Sequence, residues 1–297
     1  TYTPIGFLAT GSSSGTQPTP IADNTMTWAD GTLSTTVSVT DNKILTGAKV
    51  YATWKVDNVA VGGLATTTEG TFSNDIATIT PTPYTVSSAT ANKTVSLYVY
   101  AVKDNQVVWS YTSDAITVNP KNTADVVKAT ATDVEYNGKI QQATPTLNPV
   151  SGSLPAELDG TDDYTIGYDE NSDFVNVTDK PITITLTPKS SAYKGSITTT
   201  YKINPKNLST SNAIADEMVA TLKNTSYKFD GGNTNTDVLK VKKEDITLVD
   251  KATKKIDLSD YLKVDKNGYV NVTRDGKIEL ATPETGNKNY TISGTAG

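Results

Sequence analysis

The sequence has no cysteine and no histidine among its 297 residues. A Ser-His-Asp or Cys-His triad, a thiolate zinc site and a histidine proton shuttle therefore cannot be built from it. The chemistry that remains is that of carboxylates, lysine, tyrosine and oxygen ligands. The lack of cysteine does not decide the compartment, because a secreted domain with a sufficient core can do without disulfides.

Arginine and long apolar runs are also scarce. Arg274 is the single arginine, and the net charge is -6 with a pI near 4.8. Nucleic-acid binding needs clustered cations that displace counterions, so we predict no nucleic-acid partner. Apolar stretches such as residues 5–9 fall far short of the roughly 20 residues that span a bilayer, so we predict no membrane insertion.

Threonine is abundant, at about one residue in six, and β-branched residues favour strands. Apolar residues recur at every second position in two long runs, from Val50 to Val56 and from Val95 to Ala101, which is typical of half-buried strands. Similar runs span residues 35–39, 107–111, 164–168, 182–187, 197–203, 247–249 and 269–273. The pattern predicts an all-β protein.

Turn pairs separate these runs at intervals of about ten residues. Each pair ends in glycine and suits a turn whose central residues have positive φ. The pairs are Asp30-Gly31, Asn137-Gly138, Asp159-Gly160, Asp230-Gly231, Asn267-Gly268 and Asp275-Gly276.

An internal repeat organises the second half of the chain. The segment Val118-Asn119-Pro120-Lys121-Asn122 recurs 85 positions later (203 minus 118) as Ile203-Asn204-Pro205-Lys206-Asn207. A second match, residues 134–138 with 227–231, has an offset of 93 (227 minus 134), so we expect an eight-residue insertion near residues 209–217. Ile214, Met218 and Leu222 have helical spacing, but the alignment of residues 219–222 with 126–129 favours a strand there.

The repeat predicts four segments. These are an apolar arm and flexible linker (1–20), a first sandwich (21–119), a second repeat (120–206) and a divergent third copy of it (207–297). We expect proline to keep the links between repeats short and stiff, because it removes a backbone donor and restricts its neighbour to extended geometry.

Residues 21–119 resemble an immunoglobulin-like domain without its disulfide. Trp54 lies on the third candidate strand, where such domains pack a tryptophan between their sheets, and Val37 or Val39 with Leu97 or Val99 take the positions of the cysteines. The alternative is that Trp54 is the core aromatic of some other sandwich. Across the chain, the predicted core residues are Trp54, Leu97, Val99, Tyr136, Tyr164, Phe229 and Tyr261.

Residues 134–203 are similar to the tandem immunoglobulin-like repeats of bacterial surface (adhesin-type) proteins, and residues 219–264 are similar more weakly. The resemblance lies in residues 136–139, 163–168 with Asn171, 182–185, 193–197 and 201–203. It implies three tandem immunoglobulin-like β-sandwich domains with an extracellular architectural role, and no active site. Related modules also occur on phage tails and capsids, which leaves the host particle open.

The remaining polar and aromatic clusters could bind a ligand, but each also has a purely structural interpretation. The acidic stretch formed by Asp159, Asp162, Asp163, Asp169, Glu170 and Asp173 could supply calcium ligands, but solvated loop carboxylates are the simpler interpretation. The loop around Asp265 lacks the glutamate of a calcium-binding loop. We predict no catalytic residue, no cofactor and no metal.

Five aromatic residues could form a sugar-stacking face, although structural cross-strand pairing is favoured. They are Trp28, Trp109, Tyr98, Tyr100 and Tyr111.

The N-terminal arm is the candidate assembly element. Residues 1–9 are apolar, with Ile5, Phe7 and Leu8 as the candidate contacts, and residues 10–20 read as a flexible linker. Such an arm suits β-strand addition to a neighbouring molecule, and a frayed terminus is the alternative.

These features predict a non-enzymatic structural or adhesive protein of a cell surface or surface array. Its expected partners are further copies of itself or neighbouring surface subunits, with a host-surface or glycan ligand as a further candidate. The first alternative is a phage virion protein (tail, capsid decoration or head fibre), and the second is a carbohydrate-binding module. The expected location is extracellular, on a cell surface or a virion.

Overall fold

The computed structural model describes residues 25–27, 31–40, 45–62, 68–73, 75–224, 226, 238–273 and 276–292. These residues form 26 short strands and one α-helix. The prediction of an all-β protein is therefore confirmed. No helix in the described part of the chain is long and apolar enough to cross a membrane.

The chain divides into two compact units. One unit comprises the residues up to Lys128 together with Leu147–Ile166 and Leu186–Ile197. The other comprises Ala129–Thr146, Gly167–Thr185 and the residues from Thr198 onward.

Eleven strands lie in the predicted first sandwich. They are β1 (Thr25–Thr27), β2 (Thr32–Leu33), β3 (Val37–Thr40), β4 (Lys49–Val56), β5 (Val59–Ala60), β6 (Thr68–Thr71), β7 (Ile76–Ile79), β8 (Tyr84–Thr85), β9 (Thr94–Lys103), β10 (Gln106–Thr112) and β11 (Ile116–Asn119). The main sheet has the order β1-β11-β9-β4-β5, with β10 also on β9 and β6 also on β4. Opposite it lie the pairs β3-β7 and β2-β8.

The core of this sandwich follows from the two-residue alternation. In the antiparallel register of β4 and β9, Ala52 lies opposite Val99 and Trp54 lies opposite Leu97. Their side chains pack against Val37 and other residues of β3 and β7, and all are buried. The indole N–H of Trp54 donates to the carbonyl of Thr82 at 2.9 Å, so its single polar atom is satisfied.

Two tight hairpins of this sheet have the dipeptide Asp-Asn, which our turn analysis missed. Asp57 and Asn58 join β4 to β5 with φ of 47° and 69°, and Asp104 and Asn105 join β9 to β10 with φ of 50° and 60°. Two consecutive positive φ values are those of a type I′ turn, whose twist matches that of the strands. Asp and Asn tolerate this region because their short side chains form local hydrogen bonds.

The predicted glycine turns divide into three groups. Gly31, Gly138, Gly268 and Gly276 have the expected positive φ. Gly160 does not, since its φ is -110° and it precedes a 3-10 helix, where its N–H donates to the Asp163 carboxylate at 2.9 Å. The prediction for Gly160 is therefore wrong, because the Asp163 side chain holds an extended backbone there. Asp30, Asp275 and the pair Asp230-Gly231 lie outside the described residues.

Nine strands lie between Lys121 and Asn204, in the predicted second repeat. They are β12 (Lys121–Asn122), β13 (Val127–Thr130), β14 (Val134–Glu135), β15 (Thr146–Pro149), β16 (Tyr164–Tyr168), β17 (Ile182–Pro188), β18 (Tyr193–Lys194), β19 (Ile197–Tyr201) and β20 (Ile203–Asn204). They form a β16-β17-β19 sheet and the pairs β12-β18, β13-β15 and β14-β20.

The remaining elements lie in the third copy. They are β21 (Lys206–Leu208), α1 (Ser211–Glu217), β22 (Met218–Leu222), β23 (Val238–Lys242), β24 (Ile246–Asp250), β25 (Tyr269–Thr273) and β26 (Tyr290–Ile292). The strands pair as β21-β26, β22-β24 and β23-β25. Short 3-10 helices occur at Ser88–Thr90, Thr123–Asp125, Thr161–Asp163, Lys243–Asp245 and Ser259–Tyr261.

The helix α1 lies where the repeat offsets place an eight-residue insertion. Thr210 caps it, because its hydroxyl accepts the N–H of Ala213 at 3.1 Å. The strand prediction is right for Met218–Leu222, which pairs with β24, and wrong for Ile214, which lies in α1. Ile214 and Met218 are both buried, so one helical face and the following strand share the apolar spacing.

Candidate functional site

A single proline separates two strands at each of the two predicted boundaries between repeats. Strand β11 ends at Asn119 and β12 begins at Lys121, so Pro120 alone separates them. Strand β20 ends at Asn204 and β21 begins at Lys206, so Pro205 has the same position. Each link therefore connects the last strand of one repeat directly to the first strand of the next.

The strand after each proline makes the same parallel pairing. Lys121 of β12 lies opposite Tyr193, and Lys206 of β21 lies opposite Tyr290. The Lys121 N–H donates to the carbonyl of Ala192 at 3.0 Å, and the Lys206 N–H donates to that of Asn289 at 2.9 Å. The chain is thus hydrogen-bonded from the first residue beyond each link.

At the first link, side chains of residues 88–92 reach the second repeat. The Asn92 amide donates to the carbonyl of Ser191 at 2.8 Å, and the Ser88 hydroxyl donates to the Glu157 carboxylate at 2.6 Å. The Asn92 N–H also donates to the carbonyl of Val118 at 2.7 Å. The first two bonds join residues 88–92 to the predicted second repeat, and the third holds Asn92 to the strand that precedes Pro120.

At the second link, Asn289 has the corresponding role. Its side chain is buried, accepts the N–H of Val177 at 2.9 Å and donates to the Asn176 side chain at 2.7 Å. Because a buried amide without partners is costly, these bonds stabilise the contact of Asn289 with residues 176–177. Sequence analysis missed Asn289, since no local pattern distinguishes it from other surface asparagines.

Three tyrosines surround this second link. Tyr136 of the second repeat meets Tyr290 edge to face at 5.2 Å, and Tyr290 meets Tyr261 at 5.9 Å between ring centroids. The Tyr261 hydroxyl accepts the N–H of Tyr290 at 2.7 Å. Burial raises the pKa of Tyr261 to about 12 and that of Tyr290 further, so all remain neutral at ordinary pH.

Glu217 and Lys206 complete this cluster. The Tyr290 hydroxyl donates to Glu217 at 3.4 Å, and Lys206 forms an ion pair with the same carboxylate. The helix α1 ends at Glu217, so the inserted element supplies the carboxylate that meets the strand after Pro205.

A row of tyrosines lies on the outer face of the main sheet. Tyr100 stacks on Tyr51 across the strands and on Tyr98 along its own strand, both at 5.3 Å between centroids. Lys55 lies 3.6 Å above the ring of Tyr98, and Tyr51 donates to Glu69 at 3.1 Å. The ring faces are occupied by one another and by the ammonium group, which leaves little face for a sugar to stack on.

The two charged residues beside Tyr51 are linked. Lys49 and Glu69 form an ion pair at 2.9 Å, and the hydrogen bond from Lys49 lowers the pKa of the Glu69 carboxyl. Both side chains are exposed, so we assign this pair no large share of the stability.

The aromatic residues proposed as one face lie on opposite faces of the sheet. Trp109 lies opposite Ala101, and Tyr111 lies opposite Val99, so both point to the core side. Tyr98 and Tyr100 point to the outer side. These four residues therefore do not share one face, and the structure contains a cross-strand pair of the favoured kind, Tyr51 with Tyr100. Trp28 lies outside the described residues.

The structure places the predicted core residues as follows. Trp54, Leu97, Val99, Tyr136, Tyr164 and Tyr261 are buried. Tyr136 and Tyr261 come together through Tyr290, whereas Tyr164 lies apart, with its hydroxyl donating to the carbonyl of Leu158 at 3.3 Å. Phe229 and the arm residues Ile5, Phe7 and Leu8 lie outside the described residues.

The carboxylates of the acidic loops accept hydrogen bonds from backbone N–H groups of the same loops. Asp169 accepts the N–H of Asn171 at 3.1 Å, and Asp173 accepts the N–H groups of Val175 and Asn176 at 2.8 and 2.9 Å. The carboxylate of Asp265 likewise accepts two N–H groups, from Asn267 and Tyr269. In the described part of the chain, no three acidic side chains are arranged to hold a metal ion.

Asp250 is a buried carboxylate that sequence analysis missed. It accepts the N–H groups of Thr253, Lys255 and Ile256 at 2.6 to 3.1 Å, as well as the Thr253 hydroxyl. Burial opposes its ionisation, but these hydrogen bonds prevail and lower its pKa to about 2. The Asp250 carboxylate therefore has a structural role, since it stabilises the turn at residues 250–256 in its ionised form.

Comparison of the chain with models of known protein families gives no match. Comparison with curated proteins also gives none.

Proposed function

We propose that this chain is a non-enzymatic structural or adhesive protein of a cell surface or surface array. Its repeats would act as spacers that carry a contact surface away from their point of attachment. The observation that carries the proposal is the pair of single-proline links, Pro120 and Pro205, each with hydrogen-bonded strands on both sides.

A spacer works only if its joints resist bending. A flexible linker between domains behaves as a random coil, whereas a one-residue link has no free length. Proline adds to this because its ring locks φ. The bonds of Asn92 at the first link and of Asn289 at the second further restrict each joint.

The strand order supports an immunoglobulin-like domain at residues 21–119. In immunoglobulin-like sandwiches the sheet that carries strands G, F and C faces a sheet that carries B and E. Strands β10 and β11, β9 and β4 would be G, F and C, and the pair β3-β7 would be B and E. Trp54 then lies on strand C. We extend the same assignment to the two repeats that follow.

The surface chemistry suits a role outside the cell. Net charge and exposed polar residues keep a protein soluble and limit unspecific association. The chain is acidic overall and rich in threonine, and the carboxylates of Asp169 and Asp173 accept N–H groups of their own turns.

Labelling of native material with an antibody against this chain, observed by electron microscopy, tests the proposal. We expect label on the outer surface of cells or on a surface array. Label on phage particles would instead establish the virion alternative, and label confined to the cell interior would overturn both.

The stiffness of the first link can be measured separately. Because the chain has no cysteine, Val59→Cys and Val150→Cys can carry spin labels without background labelling. We expect a narrow distance distribution that broadens when a four-residue Gly-Ser segment is inserted after Pro120. The same insertion between Asp104 and Asn105, at a hairpin tip, is the matched control and should leave the distribution narrow.

A further inference from the structure

Strand β10 lies at an edge of the main sheet as the described residues form it. It is seven residues long and pairs with β9 along one side, and no other strand in the described ranges pairs with it. An edge strand presents a row of backbone N–H and C=O groups to any chain that can align with it.

This edge lacks most of the usual protection. Natural edge strands carry charges, proline or a β-bulge, or are very short. The edge strand β23 carries Lys240 and Lys242, whereas β10 has the sequence Gln-Val-Val-Trp-Ser-Tyr-Thr, with no charge and no proline. A β-bulge lies between Val107 and Trp109, and the register is regular from Trp109 to Thr112.

Apolar surface accompanies the open backbone. Val107 is 53% exposed and Val108 is 43% exposed. Trp109 and Tyr111 pack against the border of the core and remain partly exposed. A strand added beside β10 would cover these side chains while it satisfied the backbone groups.

The N-terminal arm matches this edge. The first charged side chain of the chain is Asp23, so residues 1–9 are uncharged. Ile5 and Phe7 have the two-residue spacing that places both on one face of a strand. Pro4 precedes them, at a strand start where proline is tolerated.

The residues directly before β1 are poorly suited to the same edge. Pro18 and Pro20 in the stretch that precedes β1 have no N–H to donate to a ladder. A segment without these missing donors is better suited to pair with β10.

We propose that β10 of one copy accepts residues 5–9 of a second copy as an added strand. The choice of a second copy rests on the proposed function, because a surface array requires contacts between copies. The arm of the same molecule is the direct competitor, since the 15 residues between Ala9 and Thr25 span about 21 Å as a random coil.

Two variants separate the acceptor from the donor. Deletion of residues 1–20 removes the arm and keeps the edge, whereas Val108→Lys keeps the arm and places a charge at the edge. Val59→Lys is the matched control, because Val59 is also exposed (71%) but lies on β5. Circular dichroism checks that each variant is folded, and Ser110→Lys replaces Val108→Lys if the latter is not.

Sedimentation velocity over a wide concentration range gives the readout. We expect oligomers for the unmodified chain and for Val59→Lys, and monomers for the deletion and for Val108→Lys. A mixture of these two monomeric variants should form a dimer of one copy of each, since one supplies the arm and the other the edge.

Assembly that persists in Val108→Lys would overturn the proposal, as would a monomeric unmodified chain. A monomeric unmodified chain whose two variants still dimerise on mixing would show that the arm serves its own molecule, and two monomeric variants that form no dimer on mixing would show that the arm does not bind β10. None of these outcomes affects the antibody labelling or the spin-label distances, so the proposed function would stand or fall separately.

Discussion

The side-chain amide of Asn289 donates to the side-chain oxygen of Asn176 across 113 positions of sequence. The same Asn289 side chain accepts the N–H of Val177, so it is bonded on both sides. This places one buried amide between the second repeat and the third copy beside Pro205.

We expect Asn289→Ala to destabilise the second unit by about 1 to 3 kcal/mol. The substitution removes the hydrogen-bond partner of the exposed Asn176 side chain and of the half-buried N–H of Val177, and each lost hydrogen bond costs about 0.5 to 1.5 kcal/mol. Urea denaturation followed by circular dichroism measures the change. Asn171→Ala, at an exposed position of the same unit, is the control and should stay within about 0.5 kcal/mol.

Trp54→Ala should destabilise the first sandwich by about 3 to 5 kcal/mol, the usual cost of removing a large buried aromatic side chain. Trp54→Phe should cost less, because it keeps much of the ring but loses the hydrogen bond to Thr82. Denaturant titration of both variants tests this. A loss below about 1 kcal/mol for the alanine variant would contradict the buried position.

Asp250 should make stability depend on pH under acidic conditions. Its pKa is about 2 in the folded protein, below the ordinary value of 3.8, so the ionised form stabilises the fold. This contribution, about 2 kcal/mol, is present above pH 4 and is lost as the pH falls toward 2. Denaturation of the unmodified chain and of Asp250→Asn at several pH values should show their stability difference shrinking in this window.

A chelator should leave the melting temperature unchanged. The carboxylates of Asp169, Asp173 and Asp265 accept backbone N–H groups of their own turns, and such loops need no calcium to keep their conformation. Calorimetry with and without chelator makes the comparison. A fall of several degrees would show that the acidic loop binds calcium.

Tyr100→Ala should destabilise the first sandwich, by about 3 kcal/mol or more, because its ring is buried between Tyr51 and Tyr98. Lys55→Gln should cost about 1 kcal/mol or less, since an exposed cation–π contact is weak. Thermal unfolding of the two variants shows which substitution costs more stability. Equal effects would show that the tyrosine row is not held by its own stacking.

The strands could be predicted from sequence where the signal is local. The runs at Tyr164–Tyr168 and Tyr269–Thr273 have the predicted bounds, because alternation of side chains and flanking turn residues are both read within ten positions. The turn at Gly160 failed although its deciding contact is also local, because the Asp163 carboxylate three residues later accepts the Gly160 N–H and holds that backbone extended.

The face on which an aromatic residue lies depends on strand register, which sequence spacing leaves undetermined. Trp109 and Tyr100 both sit in alternating runs, yet Trp109 lies opposite Ala101 and so points to the core. A shift of one residue would reverse this, and the bulge between Val107 and Trp109 makes such a shift.

The sequence by itself determined the all-β class, the excluded chemistries and the repeat with its inserted segment. Composition, two-residue alternation and the repeated Asn-Pro-Lys-Asn segments are features of the sequence itself, so they can be recognised without knowledge of the fold. Only the tertiary structure decided that Tyr136, Tyr261 and Tyr290 meet, that Asn289 joins Asn176, and that β10 pairs with β9 alone among the described strands. These depend on contacts between residues far apart in the chain, which backbone pairing and packing bring together after the local elements have formed.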